Sequence, residues 1–182
     1  MHRNRNVSVH LTPSTDSPRK AVTMSNVKKI LVPVDFSECS AAAAKQALAI
    51  SGPLGAKVDV IHTYDVPAFI APSVVMFPGQ FEAPLVSEAE KQASEQLANF
   101  CRRVGITDQP NVTARVMLGP AGPTILDVAA AERPDLIVIG THGRTGVARF
   151  LMGSTAEKVL RQAPCPVLAV KVTSESEAAA SA

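Results

Sequence analysis

Five short strand-like runs alternating with helical segments constrain this chain of 182 residues more than any other feature. The runs are Lys28–Val34, Lys57–Thr63, Asn111–Met117, Asp135–Ile139 and Pro166–Val172. Near-continuous apolarity, as in the first run, marks a parallel strand covered on both faces. Ser37 caps a helix through Ala41–Ala44 to Ile50, which Gly52 stops. Ser87–Glu90 has capping-box spacing and opens a helix to about Val104. Pro123 occupies the first turn of a helix ending before Pro134, and Ser154–Glu157 is a second capping box opening a helix toward Ala163. This order, β-α-β-α-β-α-β-α-β, predicts an α/β fold: an open five-stranded parallel sheet with helices on both faces and right-handed crossovers. Hydrophobic residues make up 46% of the chain with no Trp and one Tyr, so the core is built of Val, Ile, Leu and Ala.

The length predicts one domain, over residues 27–172. Residues 1–26 are polar and aperiodic, a disordered arm, and 173–182 a disordered tail. The segment 64–86 holds Pro67, Pro72, Pro78 and Pro84 with Phe69, Met76, Phe77 and Phe81. It reads as a flap over apolar surface, or alternatively as a mobile lid or partner contact. The net charge of +2 owes much to Arg3, Arg5, Arg19 and Lys20, so no broad basic face for nucleic acid is present. Cys39, Cys101 and Cys165 form no CxxC or Cys/His cluster and read as reduced thiols. No apolar run has the length of a membrane span, and the arm lacks the apolar centre of a secretory signal. A cytoplasmic location is expected. An organelle-targeting arm, or an upstream extension before a start at Met24, are the alternatives.

Ligands of open parallel sheets bind beyond the carboxyl ends of the strands, where strand order reverses. If the order is 3-2-1-4-5, that point lies between the first and fourth strands. The loop after Pro33 and the turn Gly140–Gly146 meet there. Gly140 and Gly143 open the backbone to an oligophosphate, and the amides of Gly153 and Ser154 at the last helix can donate to it. Ser154 has a second reading as a cap paired with Glu157. Asp35 could hold a ribose hydroxyl or a phosphate-bound Mg²⁺, or simply shape the turn. His142 and Arg144 either touch phosphate or are solvated. His62 reads as a packed, hydrogen-bonded histidine. Pro33 and Thr63 could line a flat base pocket. GxGxxG and GxxxxGK[ST] are missing, and no triad can be read from spacing.

The chain resembles the universal stress protein family over about residues 27–172. The likeness is carried by Lys28–Ser37 (KKILVPVDFS), Asp135–Gly146 (DLIVIGTHGRTG), Gly153–Leu160 (GSTAEKVL) and Pro164–Val170 (PCPVLAV). The pattern G-x2-G-x9-G-[ST] of the ATP-binding subclass is complete in Gly140, Gly143, Gly153 and Ser154. The resemblance implies strand order 3-2-1-4-5 and ATP at the reversal point, accompanied by Mg²⁺ or Mn²⁺. It places Pro33, Val34, Asp35 and Thr63 around adenine and ribose. Gly140, Thr141, His142, Gly143, Arg144, Thr145 and Gly146 wrap the phosphates, joined by Ser154, Thr155 and Ala156. It also implies a homodimer through strand 166–172 and a regulatory or tethering role in stress adaptation, with at most slow ATP hydrolysis. The alternatives are a nucleotide-free dimeric interaction module or an ATP-cleaving enzyme of the same fold. The enzyme signatures HxGH and SGGxDS are absent.

Overall fold

A computed structural model of the chain describes residues 26–65, 82–107, 109–141 and 152–172. The elements are β1 (Lys29–Pro33), α1 (Glu38–Leu54), β2 (Lys57–Tyr64), α2 (Glu82–Val104), β3 (Val112–Leu118), α3 (Ala121–Glu132), β4 (Leu136–Gly140), α4 (Ser154–Gln162) and β5 (Val167–Val170). All strand pairs are parallel, in the order β3-β2-β1-β4-β5. The expected order is therefore the observed one. Chain direction across the sheet reverses between β1 and β4.

Successive strand residues point to opposite faces, and both faces are covered. Ile30, Val32 and Val34 join Val58, Val60, Leu136 and Val138 against Ala43, Ala44 and Ala47 of α1 and Leu97, Phe100 and Val104 of α2. Leu31, Ile61, Ile137 and Ile139 pack against Ile125, Val128 and Ala129 of α3 and Ala156 and Val159 of α4. Each fully buried Val, Ile or Leu contributes about 1.5–3 kcal/mol.

Charged groups tie the second face together. Arg115 Nη2 bridges Asp59 Oδ2 at 2.6 Å and Glu132 Oε1 at 2.5 Å, and Lys29 Nζ meets Glu132 Oε2 at 2.5 Å. The last residue of α3 is thereby fixed to β1 and β3. Hydrogen bonds from Lys29 first, and from Arg115, hold the Glu132 carboxyl below its ordinary value. Cys39, Cys101 and Cys165 are unbridged thiols. Burial and the nearby Asp135 push Cys165 up to about 11, so it is protonated at neutral pH.

Two helix boundaries differ from expectation. Helix α1 runs through Gly52 and Pro53 and ends at Gly55, whose φ of +59° lets its N–H reach Gly52 O and Ser51 O. The left-handed cap, which glycine adopts without steric cost, stops the helix. Helix α2 starts at Glu82, so Ser87 lies inside it and does not open it. Proline is tolerated in a first helical turn, so Pro84 is no barrier there. Polar side chains at helical spacing pair along the helix instead, as Gln92 does with Glu88 at 3.2 Å. Of segment 64–86, Tyr64 ends β2 and 82–86 belong to α2; residues 66–81 lie outside the described residues, as do 1–25 and 173–182.

Candidate functional site

A cavity of about 350 Å³ opens beyond the carboxyl ends of the strands, at the reversal point. Pro33 ends β1 and leads into Val34 and Asp35; Thr63 is near the end of β2; Gly140 ends β4 and is followed by Thr141. All six line the cavity, together with Gly153, Ser154, Thr155 and Ala156. The other expected residues, His142, Gly143, Arg144, Thr145 and Gly146, lie outside the described residues.

The start of α4 is the part suited to an anion. Its N-cap is Gly153, which makes no side-chain cap bond, and the first i→i−4 bond runs from Glu157 N to Gly153 O at 2.9 Å. The amides of Ser154, Thr155 and Ala156 therefore lack intrahelical acceptors, and all three residues line the cavity. The helix dipole adds positive potential at the same place. The structure corrects two expectations here. Ser154 does not cap the helix, because Gly153 holds that position. The Gly153 amide is not available to a ligand, because it donates to Thr141 O at 2.8 Å.

Gly140 lines the cavity and also has a packing role. A Cβ there would lie 2.8 Å from the Cys39 carbonyl carbon and 2.9 Å from Ser40 N. The bare backbone of residue 140 admits the first turn of α1. That contact brings Ser40 to the cavity wall. Its amide is spent on the Ser37 hydroxyl at 3.2 Å, which caps α1 as the sequence suggested.

The loop from β1 to α1 is tightly bonded. Asp35 Oδ1 accepts from Ser37 N at 3.1 Å and from Ser37 Oγ at 2.6 Å, so its carboxylate does shape the turn. Val34 N donates to Ile61 O at 2.9 Å, and Val34 O accepts from His62 Nδ1 at 2.8 Å. This bond places a proton on Nδ1. The His62 ring also packs on Phe36, with centroids 4.1 Å apart. His62 is thus the packed histidine expected, and it borders the cavity as well.

Ile61, Ile139, Ala121 and Ile125 complete an apolar part of the lining that was not singled out from the sequence. Ile139 had a readable signal, since it precedes the end of β4 beside the reversal, and Ile61 lies near the carboxyl end of the neighbouring β2. Ala121 and Ile125 had none, because only the crossover of α3 brings them there. Among the described residues, no group of three His, Cys, Asp or Glu side chains could hold a metal ion. A cation accompanying a ligand would draw its coordination from that ligand and water, with Asp35 as the one carboxylate among the described lining residues.

Known proteins agree with this architecture. The universal stress protein family model matches residues 26–171. Universal stress protein MJ0531 of Methanocaldococcus jannaschii is 34% identical over 144 residues, covering 79% of this chain and 82% of that protein. Universal stress protein MJ0577 of the same organism is 30% identical over 158 residues, covering 79% and 94%. The solved structure of MJ0577 superposes with a TM-score of 0.66, covering 81% of this chain and 97% of that one. Universal stress protein UspA from Lactobacillus plantarum superposes with a TM-score of 0.62 at 27% identity, covering 79% and 97%. With a matching family model, relatives of 30% identity or more and the same fold, the chain belongs to the universal stress protein family.

Proposed function

We propose that the cavity binds ATP, and that the bound nucleotide regulates the protein as a switch or tether in stress adaptation. One observation carries this reading. Three consecutive amides without intrahelical acceptors belong to Ser154–Ala156, which line the same cavity as the Pro33–Asp35 wall and Thr63. The first group suits phosphate oxygens. The second, with Ile61 and Ile125, offers a largely apolar slot to a base and ribose. Gly143 completes the family pattern in sequence, and the resemblance assigns His142–Gly146 to the phosphates. Mg²⁺ or Mn²⁺ would travel with the phosphates. Hydrolysis needs a positioned base for water. The titratable side chains of the described lining, Asp35 and His62, are both engaged in the loop, which supports slow turnover at most.

The place of β5 as an outermost strand of the sheet among the described residues supports a homodimer. Ile137 N donates to Pro166 O and Thr141 N to Val170 O, so even-numbered residues face β4. By the alternation of a strand, Val167 and Ala169 present their backbone groups at the open edge, where a second copy can pair.

Freshly purified protein, denatured and examined by mass spectrometry, is expected to release an adenine nucleotide. Nucleotide-stripped protein is expected to melt higher with ATP, since ligand at 100 times Kd stabilises by about 2.7 kcal/mol. No released nucleotide and no shift with ATP would favour the nucleotide-free interaction module.

A further inference from the structure

Phe36 has φ +69°, an unusual conformation for a residue other than glycine. Such a residue costs about 1–3 kcal/mol and persists only where its surroundings hold it. The His62 ring packs on Phe36 from β2, and further groups reach it from α2. Arg103 Nη2 donates to Phe36 O at 3.0 Å, and Nη1 meets Glu38 Oε1 at 2.6 Å. The guanidinium also lies 5.5 Å from the centroid of Phe100, whose ring is 5.6 Å from that of Phe36. One side chain thus spans the carbonyl of the left-handed residue and the first residue of α1. Arg103 is not among the residues that line the cavity.

We propose that Arg103 is a positioning residue for the nucleotide site, holding Phe36 in its left-handed conformation so that Val34 and Asp35 form the cavity wall. The proposal rests on the nucleotide reading for its effect on affinity. Residues 34 and 35 immediately precede Phe36, and the carboxylate of Asp35 is bonded across it to Ser37. Relaxation of Phe36 to negative φ turns the peptide between residues 35 and 36 and breaks that turn. Apparent affinity then falls with the fraction of molecules that keep the competent wall. The Glu38 pair alone is too exposed, with half of the Arg103 side chain in solvent, to make this a matter of global stability.

The test compares the full-length protein with Arg103→Met, Arg103→Lys and Arg102→Met. Arg103→Met keeps an aliphatic stem beside Phe100 but loses both bonds. Arg103→Lys keeps a cationic donor. Arg102 belongs to the same last turn and makes no bond to the loop among the described residues. Two readouts are taken: amide chemical shifts in nucleotide-free protein, and ATP affinity by calorimetry. Arg103→Met is expected to shift the Val34, Asp35 and Ser37 amides, to leave those of Ser154–Ala156 in place, and to weaken ATP about fivefold to tenfold. Arg103→Lys is expected to restore most of both, and Arg102→Met to match the parent. Unmoved Val34–Ser37 amides in Arg103→Met, or unchanged ATP affinity beside a parent that binds, overturn the proposal. A parent that fails to bind ATP defeats the nucleotide reading instead, and the amide shifts still decide whether Arg103 holds the wall.

Discussion

Replacing Gly140 by alanine separates two explanations for a glycine at the end of β4. The added Cβ would sit 2.8 Å from the Cys39 carbonyl carbon, 2.9 Å from Ser40 N and 3.0 Å from Cys39 Cβ. Ordinary contact begins near 3.4 Å, and two of these atoms are backbone. No side-chain rotation relieves them, so the first turn of α1 must withdraw. Overpacking of this kind costs about 1–3 kcal/mol. The stiffer unfolded chain of the alanine variant offsets about 0.4–1 kcal/mol of that cost. A net loss of about 1–2 kcal/mol in a domain of this size lowers Tm by about 2–8 °C. Circular dichroism melts of nucleotide-free protein read this directly, with urea titrations to confirm the free energy. The retreat of α1 also moves Ser40 from the cavity wall, so ATP binding weakens alongside stability. If residue 140 is instead glycine to admit a phosphate, the variant loses ATP binding while its nucleotide-free Tm stays at the parent value or rises. That second pattern refutes the packing explanation.

Other perturbations address the remaining parts of the account. Ser154→Pro removes one of the three amides of α4 at the first helical position, which suits proline, after a Gly153 already extended at ψ 144°. It is expected to keep the parent Tm and weaken ATP about tenfold or more by calorimetry, the value of a charge-assisted bond, whereas Ser154→Ala isolates the hydroxyl. Equal affinities for Ser154→Pro and Ser154→Ala would show that the amide does not bind phosphate. Ala169→Pro removes an outward N–H from the β5 edge and is tolerated within the sheet. Sedimentation is expected to report a monomer, and an intact dimer would place the interface elsewhere. Glu132 has a folded-state pKa held below 4.5 by Lys29 and Arg115, so its contribution is complete above about pH 4.5 and is lost as pH falls through the folded value. Melts of Glu132→Gln are therefore expected to depend less steeply on pH below 4.5 than those of the parent, and identical slopes would contradict the network's role.

The sheet was legible because its signal is local: five apolar runs, each a strand within one or two residues of its expected bounds. Strand order was not local, and it came from the family resemblance rather than from periodicity. The site residues that flank strand ends, Pro33–Asp35, Thr63 and Gly140, could be named because open sheets bind at their carboxyl edges. What the sequence could not supply was the assignment of hydrogen bonds. Ser154 and Glu157 carry a capping-box spacing, yet Gly153 takes the cap and leaves Ser154 as a helical residue. Gly140 looked like a phosphate glycine, and only the approach of Cys39 and Ser40 reveals its packing role. Ala121, Ile125 and Arg103 are distant in sequence from every motif; the crossover of α3 alone brings the first two to the cavity, and the docking of α2 alone brings Arg103 to Phe36.

Crystals grown with millimolar ATP and Mg²⁺ test the central claim most directly. The account predicts adenine and ribose against Pro33–Asp35 and Thr63, with phosphate oxygens within hydrogen-bond reach of the Ser154, Thr155 and Ala156 amides. A nucleotide bound elsewhere, or a cavity filled by the protein's own side chains under the same conditions, would contradict it.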